Sequence, residues 1–327
     1  MRRLITALLA LALLLLTITG MKNADALARQ STSISLRWQQ ALADETAAEA
    51  RKKQPGLTLW GQTEDILTAG WRQAQATLIT YQGDPALVWD PVCQTGALPA
   101  PLDETGCAVS AALAWALFGS EDAVGLTLSR GKTVYTVRGV FPGEDCLALL
   151  PDPTASYTAV ELPTVGETWQ DPAAWAEEQR QQAGLPAPDW TLWPAAAAFL
   201  ARLLAWLPLL FAAGVLAAAL WRAVRRQALW RRDAVGFALL LAAALALPVL
   251  LALWPAWLTP SRWSDFAWWG RLAQQLREQG TAWLAAPCLG RDLPVKTGLL
   301  AQAGLAVFQT VLCEVLRCRL RGTDQVK

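Results

Sequence analysis

The sequence predicts a mixed α+β domain, lying outside the cytoplasm, inserted between the first and second of four transmembrane helices. Three observations lead there. Four apolar stretches, Leu4–Thr19, Phe199–Leu220, Ala234–Trp257 and Gly298–Leu316, are arranged so that a polar stretch of domain size separates the first from the second. Arginine clusters flank the four stretches on what successive crossings make a single side. The polar stretch itself mixes alternating, β-branched runs with short helical patterns, the signature of an α+β unit.

A helix crosses the hydrocarbon core with about 20 apolar residues, because its backbone polar groups must be satisfied internally. The second and third stretches meet that length. The first is near the lower limit, and the fourth is diluted by Gln302, Gln309 and Glu314. Two readings of residues 1–20 stand: a retained helix, or a signal peptide cleaved after the small residues Ala26-Leu27-Ala28. In both, the domain spanning residues 21–193 is outside. Arg2 and Arg3 precede the first span, and Arg317, Arg319 and Arg321 follow the fourth. The short link between the second and third spans carries Trp221, Arg222, Arg225, Arg226, Trp230, Arg231 and Arg232. Positive charge in short loops marks the cytoplasmic side, so both termini are expected there in a multi-pass protein of the cell (plasma) membrane. Residues 194–327 are expected to form a three-helix membrane domain. Near residues 260–279, Trp263, Phe266, Trp269, Leu272 and Leu276 recur at helical spacing and predict an amphipathic helix in the outer interface.

Within the domain, Ser33–Lys53 is expected to form a helix leaving the membrane, ended by Pro55-Gly56. Leu57–Trp60, Ala76–Tyr81 and Ala86–Trp89 have strand character, and Glu64–Gln75 suits a short helix between the first two. Gly106–Ser110 leads into an alanine-rich helix, Ala111–Phe118, closed by Gly119. Leu126–Leu128 and Thr133–Phe141 read as a hairpin with Gly131 in its turn. Strands at Cys146–Leu150 and Tyr157–Leu162, a helix at Pro172–Ala183 and a proline-rich connector to Pro194 complete the domain.

Composition narrows the chemistry. Acidic residues outnumber basic ones by ten between residues 21 and 193, while the whole chain has a net charge of +1. The excess positive charge flanks membrane spans, which argues against a nucleic-acid partner. The chain has no histidine, so histidine-based catalytic triads and mixed Cys/His metal sites are excluded, and no cofactor, metal or catalytic residue is expected. Paired carboxylates such as Glu64-Asp65, Asp103-Glu104, Glu121-Asp122 and Glu144-Asp145 lie beside turns and read as solvated loops. Gly131-Lys132-Thr133 lacks the phosphate-loop spacing and precedes a strand, so it too reads as a turn. Of six cysteines, Cys93, Cys107, Cys146 and Cys288 are expected outside, where three disulfide pairings are open; Cys93 with Cys107 is the most local.

One block supports a resemblance. Ala114-Trp-Ala-Leu-Phe-Gly-Ser-Glu-Asp-Ala-Val-Gly125, then Leu126-Thr-Leu128 and Tyr135-Thr-Val-Arg-Gly-Val-Phe141, resembles the extracytoplasmic core domain of FtsX/MacB-type ABC permeases. The matching positions are Phe118, Gly119, Val124, Gly125, Tyr135, Val137, Gly139 and Val140. Their roles are structural: Gly119 and Gly125 end and turn the chain, and Phe118, Val124, Val137 and Val140 are expected to pack inward. The resemblance implies a non-enzymatic membrane subunit, a homodimer surrounded by membrane lipid, that works with a separate ABC ATPase. It also implies that the link from Trp221 to Arg232 is an ATPase-coupling loop; the plain reading of that link is two helix ends anchored at the interface. The alternative for the whole chain is a non-transporting, membrane-anchored binding or scaffold protein.

Overall fold

The computed structural model describes residues 2–29, 32–164, 171–224, 229–252, 255–260, 262, 264–289 and 292–324. A long first helix, α1 (Arg2–Arg29), leads into β1 (Ser33–Arg37), α2 (Asp44–Lys53), β2 (Thr58–Ala69), β3 (Arg72–Gln82) and a single turn, α3 (Pro85–Val88). Then come β4 (Thr95–Gly96), β5 (Gly106–Ser110), α4 (Ala111–Phe118), β6 (Thr127–Arg130), β7 (Thr133–Phe141), β8 (Leu147–Pro151) and β9 (Ala159–Pro163). The chain continues through α5 (Pro172–Ala183), β10 (Trp190–Leu192), α6 (Pro194–Val224), α7 (Leu229–Ala252), α8 (Phe266–Ala285) and α9 (Asp292–Asp324). The strands lie between α1 and α6, and the class is mixed α+β.

The strands form a mixed sheet in the order β10-β1-β9-β2-β3-β8-β5-β7-β4. β2 is long enough to serve two neighbours. Its start pairs with β9, and near its end Thr68 bridges Ser129 of β6, their hydroxyls 2.7 Å apart. Because β6 also pairs with β7, strands β2-β3-β8-β5-β7-β6 close into a ring. Its interior holds Leu67, Leu78, Val109, Val137, Val140 and Leu150, capped by Leu113 and Leu117 of α4. A second core lies nearer the helices, where Ile34, Leu36, Leu59 and Leu162 meet Trp193, Trp257, Leu258 and Leu272.

Several elements match the sequence reading and three depart from it. Ser110 caps α4 by accepting a hydrogen bond from the Leu113 amide, and Gly119 ends that helix in the left-handed conformation. The β6–β7 hairpin turns at Gly131-Lys132, and α5 occupies Pro172–Ala183. The helix expected over Glu64–Gln75 is instead the tip of the β2–β3 hairpin, whose two-residue loop is Gly70-Trp71 with Gly70 at φ +60°. Leu67 faces the core while Ile66 is exposed, an alternation of period two that favours strand. The single helix expected over Ser33–Lys53 is split. β1 takes Ser33–Arg37 because it lies between β9 and β10, covered on both faces, and only Asp44–Lys53 is helical. Ala86–Trp89, expected as strand, follows the cap Asp84, which accepts from the Ala86 amide and starts the turn α3.

Among the described residues three helical segments are long and apolar enough to cross a membrane: Ala7–Arg29, Pro194–Val215 and Asp292–Cys318. The third stretch is helical as α7, whose described apolar part is Asp233–Pro248. α1, α6 and α9 pack as a bundle through small residues, with Ala24, Ala201 and Ala205 buried. A side chain added at Gly20 or Gly298 would press against α9 or α1 respectively. Such close helix approach is how membrane helices gain packing without a hydrophobic driving force. Asn23 of α1 donates to the Gly298 carbonyl and to Gln302 Oε1 of α9, at 3.0 and 3.1 Å. The end of α1 therefore meets the beginning of α9, and the two are antiparallel. Trp193, one residue before α6, stacks 4.5 Å from Trp257, just after α7. The sheet-side ends of α1, α6, α7 and α9 are thus opposite the clusters Arg2-Arg3, Arg222, Arg231-Arg232 and Arg317-Arg319, while Arg29 of α1 and Arg202 of α6 lie toward the sheet.

Candidate functional site at the junction of the domain and the helices

β1 alternates, so Ile34 and Leu36 point into the apolar core and Ser33, Ser35 and Arg37 share the other face. Register places Ser35 opposite Glu161 of β9. Glu161 is fully buried and accepts hydrogen bonds from Ser33 Oγ at 2.5 Å, Ser35 Oγ at 2.7 Å and Trp60 Nε1 at 2.9 Å. Arg37 extends this network. Its Nε donates to Ser35 Oγ at 3.1 Å, and its guanidinium lies 5.3 Å from the Trp60 ring centre. Its two terminal nitrogens donate to the two carboxylate oxygens of Asp292, at 2.5 and 2.7 Å. The side chains of Arg37 and Asp292 are only 3% and 13% exposed.

Asp292 is the first residue of α9, so its carboxylate also sits at the positive end of a helix dipole. Planar, two-fold pairing of this kind fixes orientation as well as distance. The neighbouring cavity, lined by Arg37, Trp89, Trp283 and Asp292 among others, is about 30 Å³. That holds about one water and no substrate, so the network can hold two parts together but has no room for a reaction. It is a joint between the sheet and the start of a membrane helix.

A second contact runs beside the first. The 3₁₀ turn Ala256–Leu258 after α7 inserts Trp257 and Leu258 into the domain core, where Trp257 meets Trp193 and Phe199. α8 lies on the same face through Leu272 and Trp268, while Phe266 and Trp269 point outward. The sequence reading placed this helix in the outer interface. The structure adds that it packs on β10 and the domain core.

The sequence-derived residues fall elsewhere. Tyr135, Val137 and Val140 are buried in the ring, and Phe118 packs against it. Val124 corrects the expectation of inward packing, being 42% exposed on the turn before β6. Gly125 has φ +87°, and at Gly139 a Cβ would lie 2.5 Å from the Ala97 carbonyl oxygen, so a larger residue would force the adjoining loop away. In the proposed coupling link, Trp221 and Arg222 belong to the last turn of α6, and Trp230, Arg231 and Arg232 to the first turn of α7. Arg225 and Arg226 lie outside the described residues. The link is at the opposite end of the helices from the joint.

The local disulfide between Cys93 and Cys107 is not formed; all six cysteines are free. Cys107 is buried inside the ring, whereas Cys93 lies on a partly exposed loop. Burial pushes the Cys107 thiol up to about 12, with Asp103 adding to the rise and Arg138 opposing it. At about pH 8 that leaves roughly a thousandfold less thiolate than an unperturbed cysteine. In the folded chain Cys107 is therefore expected to resist iodoacetamide while exposed Cys288 reacts, and to become reactive on unfolding. Mass spectrometry of the alkylated peptides checks this; equal labelling of the two would contradict the buried placement.

The carboxylate pairs of the sequence reading are dispersed. Asp65 binds Arg130 at 2.8 Å, and that hydrogen bond holds its carboxyl below the usual range. Asp103 caps a turn through the Gly106 amide and pairs with Arg138 at 2.8 Å. Glu121, Asp122, Glu144 and Asp145 are exposed.

No family model matches the chain, and no curated protein does. Among solved structures the chain is similar to the periplasmic region of MacB from Actinobacillus actinomycetemcomitans, with 15% identity, a TM-score of 0.40, and coverage of 51% of this chain and 91% of that one. It is also similar to the extracellular domain of the noncanonic ABC-type transporter YknZ from Gram-positive bacteria, with 14% identity, a TM-score of 0.34, and coverage of 46% and 89%.

The residues that sequence reasoning missed are Ser33, Ser35, Arg37, Glu161 and Asp292. A signal was present in two places. Ser33-x-Ser35-x-Arg37 is a polar face at strand spacing, and Glu161 is a lone charge inside the apolar run Ala159-Val-Glu-Leu162. Their partnership was not readable, because 124 positions separate Arg37 from Glu161 and 255 separate it from Asp292.

Proposed function

We propose that this chain is the membrane (permease) subunit of an ABC-type system, coupling a separate cytoplasmic ATPase to movement of an extracytoplasmic domain. The supporting observation is the joint: a two-fold Arg37–Asp292 pair ties the sheet to the first residue of α9. A shift of α9 along or about its axis is thereby passed to β1 and the sheet. Each membrane helix carries arginines at its other end, where Arg222, Arg225, Arg226, Arg231 and Arg232 form the coupling link toward the ATPase. The domain and the outer ends of the helices face away from the cytoplasm, and both termini face it. Two copies, each with one ATPase, make the working unit, and the exposed apolar face of α7 (Phe237, Leu240, Leu245) meets lipid or the second copy.

The test is affinity purification from native membranes in mild detergents, with co-purifying proteins identified. Wild type should bring down an ATPase, and a variant with all five link arginines neutralised should lose it while still inserting. Absence of any ATPase with wild type would leave the alternative, a membrane-anchored binding protein.

A further inference from the structure

A cavity of about 650 Å³ lies between α6, the turn after α7, α8 and the start of α9. That is within the roughly 300–1,000 Å³ of small-molecule sites. Its walls are almost wholly apolar: Phe199, Leu200 and Leu203 of α6 face Leu276, Trp283 and Leu284 of α8. Leu200, Leu203 and Leu284 are exposed, so the cavity opens sideways between the two helices. Three polar side chains interrupt the lining, and one of them, Thr281, is satisfied by donating to the Glu278 carbonyl. Arg277 is exposed and makes no ion pair among the described residues, and the buried Oε1 of Gln279 accepts no hydrogen bond. Glu278 accepts from Gln274 and lines two neighbouring cavities, one of them shared with Arg277, but not this one.

Depth decides what can enter. The candidate span of α6 begins at Pro194, so the lining residues 196–203 occupy its first turns. An occupant there is at the level of acyl chains just below the headgroups, with Arg277 at the boundary. We propose that the cavity holds one acyl chain of an anionic membrane phospholipid, with its phosphate at Arg277 and a headgroup hydroxyl donating to Gln279. Lipid tails are about as apolar as leucine, so exchange of tail for tail gives no selectivity. Selection comes from the net negative headgroup at the guanidinium, a charge that the ammonium of choline would cancel, and from a headgroup hydroxyl, which choline lacks, for an amide oxygen that otherwise stays unpaired. The proposal requires a bilayer around the helices and does not require an ATPase partner.

The experiment places the full chain in phosphatidylcholine nanodiscs with a trace of phosphatidylglycerol carrying a diazirine in its acyl chain, and maps the adducts after illumination. Adducts are expected to concentrate on peptides containing Leu203, Trp257 and Leu284. A Cβ at Gly280 meets nothing within 4 Å, so Gly280→Phe fills the space without a backbone clash. It should lower those adducts by about tenfold, by excluding the acyl chain, and leave labelling of α7 unchanged. Arg277→Gln should lower labelling by the anionic probe and not by a diazirine phosphatidylcholine. Continued resistance of Cys107 to alkylation reports that each variant is folded, and Ala197→Phe fills the same space from α6 should Gly280→Phe not fold. Adducts spread evenly along α6, α7 and α9 would overturn the proposal. So would labelling undiminished in folded cavity-filling variants, or a co-purified polypeptide segment occupying the cavity.

Discussion

Arg37→Met is expected to lower the thermal midpoint of the full chain by on the order of 10 °C, because breaking a buried ion pair costs about 3–5 kcal/mol. The reason lies in what the guanidinium leaves behind. Asp292 loses its two-fold partner, Ser35 loses a donor, and the fully buried carboxylate of Glu161 loses the nearest cation of its network. Arg37→Lys should recover only part of the loss, since an ammonium keeps the charge but cannot reproduce the planar pairing. The double variant Arg37→Met with Asp292→Leu should recover most of it, because a buried pair replaced by packed apolar groups is often neutral in stability. Thermal unfolding in one detergent, followed for all four proteins, checks the series. A midpoint for Arg37→Met within about 2 °C of wild type would mean that the pair does not join the sheet to α9.

The second large effect concerns sidedness and is close to all-or-none. Cys288 is exposed in the segment between α8 and α9, beside the domain, and Cys318 is exposed near the far end of α9. At about 1.5 Å per helical residue, the stretch from Asp292 to Cys318 is long enough to cross the hydrocarbon core. A membrane-impermeant maleimide applied to intact cells is expected to modify Cys288 and to spare Cys318 until the membrane is permeabilised. The reverse pattern would invert the orientation, and modification of both from outside would remove the fourth crossing. Single-cysteine variants keep the readout unambiguous, with Cys107 retained as the buried control.

How much of this was legible in the sequence varies with the range of the interaction. Three of the apolar helices, the mixed α+β class, the stop at Gly119 and the Gly131 turn are local. Each depends on composition or on residues a few positions apart, and the structure agrees. The β2–β3 hairpin was missed because Glu64–Gln75 has a charge pattern that suits a helix surface. Only pairing along the whole of β2 makes it a strand, through partners β3, β9 and β6. β1 was missed for a related reason. Ser33–Arg37 does alternate, but Ile34, Leu36, Trp38, Ala41 and Leu42 together also suit a helix, and only pairing with β9 and β10 selects strand.

The sequence by itself determined that apolar segments lie on both sides of a long polar stretch, that arginine pairs or clusters flank them at Arg2-Arg3, Arg222–Arg232 and Arg317–Arg321, and that histidine-dependent chemistry is absent. Those are properties of composition along the chain. Only the tertiary structure decided which buried charges meet. Arg37 could be assigned no partner until β1 was threaded between β9 and β10 and the start of α9 was brought beneath it. A buried charge is stable only with its counter-charge and hydrogen bonds in place, and that placement belongs to the packed fold and to no segment alone.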